Sequence, residues 1–307
     1  MKEEKVEIIG NDNFKISAVL WLPEGTPRAI LQITHGMTEH IYRYKDFAKE
    51  LTAQKIAVAG FDLRGHGTNL KENGCASFGK NGWEGSLNDM HLLHDHIENR
   101  FQDCPYFMMG FSLGSFLLRE YLNIYDDKLA GAAILGTGYQ PGVILTLMMA
   151  IVKSQIKKCG FDNTTPLVKK LSFETYNSKF TPNRTEFDWL CSDDAELDTY
   201  IQDSLCSDSI SAGLFWQLLG SMKHTGNRSA YKNWDKKMPV LLLSGEKDPV
   251  GDDGKGVEKV KQTMNHAGIR NVSMHLFPDV RHDILHEEKS GCAKQVRKTL
   301  INWMLNE

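Results

Sequence analysis

Ser112 stands between Gly110 and Gly114 in the stretch P-Y-F-M-M-G-F-S-L-G-S-F, residues 105–116. A serine hydroxyl is a poor nucleophile at neutral pH. It needs a base to take its proton, a group to orient that base, and donors for the oxyanion. The G-x-S-x-G spacing suits a sharp strand-to-helix turn that exposes the hydroxyl. Glycines two positions before and after let neighbouring backbone pass closely. The flanks read as an apolar strand before the serine and a helix after it.

The partners are sought later in the chain. His282 follows a strand-like run and the turn P-D-V-R, and it precedes the apolar pair Ile284–Leu285. Loops at the carboxyl ends of parallel strands are where ligand chemistry collects in open α/β sheets. His286 is the competitor and reads as a helix-face residue. Asp248, in G-E-K-D-P-V-G (245–251), lies just past another strand-like run. Asp252 and Asp253 read as turn or helix-cap carboxylates, and Asp279 and Asp283 lie very near His282 in sequence. The order Ser112, Asp248, His282 is the one this architecture imposes. Two backbone N–H groups complete the set: Leu113, directly after the serine, and Met37, after the third strand in T-H-G-M-T-E-H. Gly36 would let that loop approach a substrate.

These residues need a frame. K-V-E-I-I and K-I-S-A-V-L-W-L flank a polar turn at Gly10–Asn13 and read as a hairpin. Buried-strand runs follow at 29–36, 56–61, 106–111 and 129–136, alternating with helical spacing at 41–54, 83–101 and 113–125. Strand and helix alternate, and several strands are apolar on both faces, which predicts a mostly parallel sheet covered by helices. From about 139 to 230 no strand is expected. Strand runs resume at 238–245 and 272–277. The domain reading is therefore a core at 1–138, a helical insertion at 139–230, and a second core part at 231–307.

The 307 residues are 41% hydrophobic and 24% charged, an ordinary globular balance. A net charge of -3 gives no electrostatic case for nucleic acid. The six cysteines are scattered without a CxxC pair, which predicts reduced thiols and a cytoplasmic setting. M-K-E-E-K-V-E is too charged for a signal peptide. No apolar run reaches the roughly 18 residues of a membrane span.

The blocks I-T-H-G-M-T-E-H-I-Y-R-Y, F-D-L-R-G-H-G, G-F-S-L-G-S, S-G-E-K-D-P-V and R-H-D-I-L-H-E together resemble the monoacylglycerol lipase and lysophospholipase branch of the α/β-hydrolases, also grouped as serine aminopeptidase-like. The matching blocks fall within about 29–126 and 238–290. The resemblance implies an α/β-hydrolase fold: a mostly parallel eight-stranded sheet, helices on both faces and a helical cap insertion. It implies Ser112 as nucleophile, Asp248 and His282 as its partners, Met37 and Leu113 as oxyanion donors, and no cofactor. Ser115 stands where many relatives have a second glycine, a small-for-small change.

In the insertion, V-I-L-T-L-M-M-A-I-V-K-S-Q-I-K-K (143–158) begins apolar nearly all round and ends basic. Leu147 and Met148 are the expected walls of an acyl tunnel, with Phe215 opposite. The acidic patch 192–198 reads as a solvated helix start. H-L-L-H-D-H-I-E (91–98) puts His91, His94, Asp95 and Glu98 on one helical face. A zinc site would need a further ligand from elsewhere, so the expectation is an exposed polar helix and no metal. G-H-G at 65–67 lacks phosphate-loop spacing, and Asp62–Gly67 reads as a structural turn. The expected activity is hydrolysis of a small or single-chain lipid ester. An aminopeptidase or thioesterase on the same residues is the rival, and a non-catalytic binding protein is a further one.

Overall fold

A computed structural model of the chain describes residues 1–207 and 209–306. Eight strands form the main sheet: β1 (Lys2–Ile9), β2 (Lys15–Leu22), β3 (Ala29–Thr34), β4 (Ile56–Phe61), β6 (Tyr106–Phe111), β7 (Gly131–Leu135), β9 (Val240–Gly245) and β10 (Val272–Phe277). A two-stranded ribbon pairs β5 (Cys75–Ala76) with β8 (Ser209–Ile210). The main order is β1-β2-β4-β3-β6-β7-β9-β10. β2 runs antiparallel to both of its neighbours, and every other pairing is parallel.

Alternation along the strands separates two cores. Tyr106 and Met108 of β6 face one cluster; Phe107, Met109 and Phe111 face the other. The helices α2 (Gly82–Arg100), α3 (Leu113–Ile124) and α9 (Lys255–His266) cover the first face. The helices α1 (Lys45–Ala53) and α10 (Cys292–Leu305) cover the second. A sheet buried on both sides accounts for the near-continuous apolar strands.

Between β7 and β9 the chain is mainly helical. It carries α4 (Gly142–Cys159), the short α5 (Pro166–Lys169) and α6 (Thr175–Asn177), α7 (Asp194–Gln202) and α8 (Ala212–Thr225). The expectation of no strand there fails at one place. Ser209–Ile210 pairs with Cys75–Ala76, a ladder too short to leave a periodic signal. α7 begins as the acidic patch suggested: Asp193 caps it by accepting from the Ala195 N–H.

Two local readings are corrected. His286 lies in a turn, not on a helix, with Nδ1 2.8 Å from Asp283 Oδ1 and Nε2 3.1 Å from the Arg43 carbonyl. The 91–98 face is not an exposed one. His94 is buried against Tyr106, and His91 stacks on Tyr125, because α2 lays this face against β6 and α3. The turn at Asp62–Gly67 is structural as expected: Asp62 accepts from the Ile41 N–H at 2.9 Å and the Thr68 N–H at 2.8 Å.

Candidate active site

Ser112 occupies the junction of β6 and α3 with φ 50° and ψ -115°. A non-glycine residue there is strained. The strain is held by the Ser112 N–H, which donates to the Leu135 carbonyl at 2.9 Å. The two glycines are explained by close approach. A Cβ on Gly110 would lie 2.3 Å from the Gly114 oxygen, and one on Gly114 would lie 2.1 Å from the Thr34 oxygen. Ser115, next in line, is fully buried with its hydroxyl unpaired.

His282 lies past the carboxyl end of β10, and Asp248 past that of β9. His282 Nε2 is 2.8 Å from Ser112 Oγ, and its Nδ1 is 2.9 Å from Asp248 Oδ1. His282 is 1% exposed and Asp248 0%. Asp248 Oδ1 also accepts from the Val250 N–H at 2.8 Å, and Oδ2 from the Ser244 hydroxyl at 3.2 Å. These bonds fix the carboxylate, which in turn selects the Nδ1–H tautomer of His282. The imidazole packs between Phe111 and Trp189, with ring centroids 5.0 and 5.1 Å away. Nearby Tyr176 is pushed up to about 12 by burial and by the Asp248 charge.

Leu113 is the first residue of α3, so its N–H is one of the donors that a helix start leaves without an intrahelical partner. Met37 lines the cavity at Ser112 together with Thr38, Phe173, Leu190 and Tyr200. Gly36 lies one residue before, its N–H donating to Glu39 Oε1. The cavity measures about 20 Å³, room for roughly one water.

The expected tunnel walls lie elsewhere. Leu147 is 65% exposed, Met148 is half-buried, and Phe215 is packed into the core cluster; none lines the Ser112 cavity. The reason is the seating of α4. It packs on α8, with only Leu145 and Val152 fully buried, so its apolar surface does not turn toward the serine.

Several cavity residues carry no local signal in the sequence, Phe173 and Trp189 above all. Others lay inside a recognisable block. Glu39, from the H-G-x-x-E-H segment, accepts from the Tyr44 hydroxyl at 2.8 Å and from Arg43. Arg43 also pairs with Glu196 of α7 at 2.7 Å and with Asp283 at 2.8 Å. Burial pushes the Asp283 carboxyl up, but His286 and Arg43 more than offset this and hold it well below its usual range. Burial pushes His286 down, and the Asp283 charge more than offsets that, leaving His286 above its ordinary value.

A mostly parallel sheet with a strained serine at the β6–α3 turn, facing a histidine and an aspartate from later strands, defines an α/β-hydrolase of the serine hydrolase class. More particularly, the chain belongs to the serine aminopeptidase S33 family, whose match spans residues 25–289. It is 24% identical to the mouse (Mus musculus) monoglyceride lipase over 288 residues, 90% of this chain and 86% of that protein. It is 25% identical to a monoglyceride lipase homolog of monkeypox virus over 304 residues, 96% of each chain. A thermostable carboxyl esterase from Bacillus coagulans superposes with a TM-score of 0.90 at 22% identity, covering 100% of this chain and 99% of that one. Among the described residues no helix is long and apolar enough to cross a membrane.

Proposed function

We propose that the protein hydrolyses carboxylic esters with one apolar acyl chain, such as monoacylglycerols, lysophospholipids or short acyl esters. The observation that carries this is the Ser112–His282–Asp248 chain, with links of 2.8 and 2.9 Å. His282 Nε2 takes the proton from Ser112 Oγ as the oxygen attacks the ester carbonyl. Asp248 holds the ring and stabilises the imidazolium. The Met37 and Leu113 N–H groups receive the oxyanion, the latter at the positive end of α3. His282 then gives its proton to the leaving alcohol. Water, deprotonated by the same nitrogen, attacks the acyl-enzyme and frees Ser112. Segment 139–230 acts as the cap. Phe173, Trp189 and Leu190 give the cavity apolar walls that suit an acyl chain, and the segment carrying them must shift to admit one.

The family description and the acidic patch raise the aminopeptidase reading, which needs a free carboxylate for the substrate amine. The carboxylates lining the cavity, Glu39 and Asp283, are both held by Arg43. In the patch, Asp194 and Asp198 pair with Arg184, and Glu196 with Arg43. Ester hydrolysis is therefore preferred. The test is a p-nitrophenyl ester series of increasing acyl length, with Ser112→Ala alongside. Turnover should fall in the variant by about 10⁴-fold or more, and the length optimum should measure the cap's opening. A folded wild-type protein inert on all esters but active on aminoacyl-arylamides would replace this reading with the aminopeptidase one.

A further inference from the structure

We propose that His91, His94 and Asp95 of α2, together with Asp127, form a binding site for a divalent transition-metal ion, zinc by donor set and geometry. Asp127 is the further ligand that the helix alone lacks. It comes from the connection between α3 and β7. One ligand atom from each of the four lies within 4.8 Å of every other. Asp127 Oδ2 is 3.3 Å from His91 Nδ1 and 3.8 Å from His94 Nδ1, and Asp95 Oδ1 is 3.3 Å from His94 Nδ1. A tetrahedral zinc ion about 2.0–2.2 Å from each nitrogen or oxygen needs ligand-to-ligand edges of about 3.3 Å.

The histidine contacts are also long for hydrogen bonds: each Nδ1 stands 3.3 Å from its nearest carboxylate oxygen. The Tyr121 hydroxyl donates to Asp127 Oδ2. His91 Nδ1 faces that same oxygen at 3.3 Å and the Tyr121 oxygen at 3.3 Å, whereas His94 Nδ1, 3.8 Å away, is beyond hydrogen-bond reach of it. A carboxylate oxygen has two lone-pair positions. Tyr121 and His91 fill both, and His94 Nδ1 turns to Asp95 Oδ1 at 3.3 Å instead. With an ion among them, both imidazoles present lone pairs rather than protons, and Tyr121 keeps its bond as the outer partner that orients Asp127. The rings are already fixed. His91 stacks on Tyr125 at 4.1 Å, and His94 lies edge-on to Tyr106 at 4.6 Å. Asp95, half exposed, opens the site to solvent.

The site lies at the end of the sheet where β6 and β7 begin, whereas Ser112 follows the end of β6. Its role is to tie α2 to the α3–β7 connection. Anything that binds only the folded state stabilises it.

The test is zinc titration of the chelator-treated full chain by calorimetry, with Asp127→Asn and the more exposed Asp95→Asn in parallel. Circular dichroism checks that each variant is folded. One zinc per chain is expected, with each variant weakening it by about tenfold or more. Saturating zinc should raise the melting temperature of the wild type by several degrees and that of Asp127→Asn by less. Cobalt should give the visible bands of a tetrahedral nitrogen and oxygen site. Equal zinc affinity in folded variants, no zinc binding at tens of micromolar, or a cobalt spectrum dominated by thiolate charge transfer would each overturn the assignment.

Discussion

Gly114 is a position where one methyl group decides whether the site exists. A Cβ there would lie 2.1 Å from the Thr34 oxygen and 2.7 Å from the His35 oxygen, both backbone atoms that cannot step aside. Gly114→Ala must push the start of α3 away from β3, and Ser112 and Leu113 move with it. Overpacking of this kind costs about 1–3 kcal/mol. We predict a lower unfolding midpoint and a large loss of kcat, because the proposed nucleophile and the proposed oxyanion donor are displaced together. Gly142, with open space around its Cβ position, is the control, and Gly142→Ala should leave both unchanged. Full activity in Gly114→Ala would disprove the close-packed elbow. The serine was legible because its demands are local: two glycines, a strand and a helix within one short stretch. The structure brings His282 and Asp248, named by their place after strand-like runs, within hydrogen-bond reach of it. Trp189 was not legible. It reaches His282 across 93 residues of chain, and no nearby residue type encodes that contact.

At the scale of elements, α7 is fastened to the core by a buried ion cluster. Arg43, following β3, meets Glu39 beside it, Glu196 on α7 and Asp283 next to His282. Burial works against the Arg43 charge, but Asp283, Glu39 and Glu196 more than offset it and hold the guanidinium far above its usual range. The backbone adds to the clasp: the Asp283 N–H donates to the Leu190 carbonyl at 2.7 Å. Removing Arg43 leaves three carboxylates facing one another. Arg43→Ala should cost about 3–5 kcal/mol of stability and lower kcat/KM through misplacement of His282. Arg43→Lys, with one charge but no fork, should fall between. Urea unfolding and ester kinetics on both variants check this, and an unperturbed midpoint in Arg43→Ala would refute the clasp. The core strands and helices were legible because each carries its own period. The course of segment 139–230 was not. Its helices are apolar on more than one side, and only tertiary packing decides that α4 turns Leu145 and Val152 inward and leaves Leu147 outside.

For the whole molecule, the buried histidines set how stability depends on pH. His35 donates from Nδ1 to the Gly36 carbonyl at 2.7 Å and accepts the Leu63 N–H on Nε2 at 2.9 Å, which requires a neutral ring. Burial lowers its pKa despite the nearby Glu39 and Asp62 charges. Burial, with His35 as a neighbour, pushes His66 down from 6.5 to about 3. Below 6.5 the unfolded chain binds protons that these two folded rings resist, so stability falls as pH falls, by at most about 1.4 kcal/mol per pH unit for each group. His286 has the opposite sign. Its folded pKa is raised, so its contribution is complete below 6.5 and is lost as pH rises through the folded value. His224, raised by its bond to Glu120, adds to that alkaline loss. The two limbs meet near 6.5, and the melting temperature should peak there. His66→Gln should make the acid limb shallower between pH 6.5 and 4.5, above the range where most carboxylates titrate, whatever its effect on the midpoint itself. His286→Asn should make the alkaline limb shallower, leaving the part that His224 contributes. A melting temperature that rises steadily across this range, or acid slopes identical in wild type and His66→Gln, would mean that these rings are not held as the structure places them.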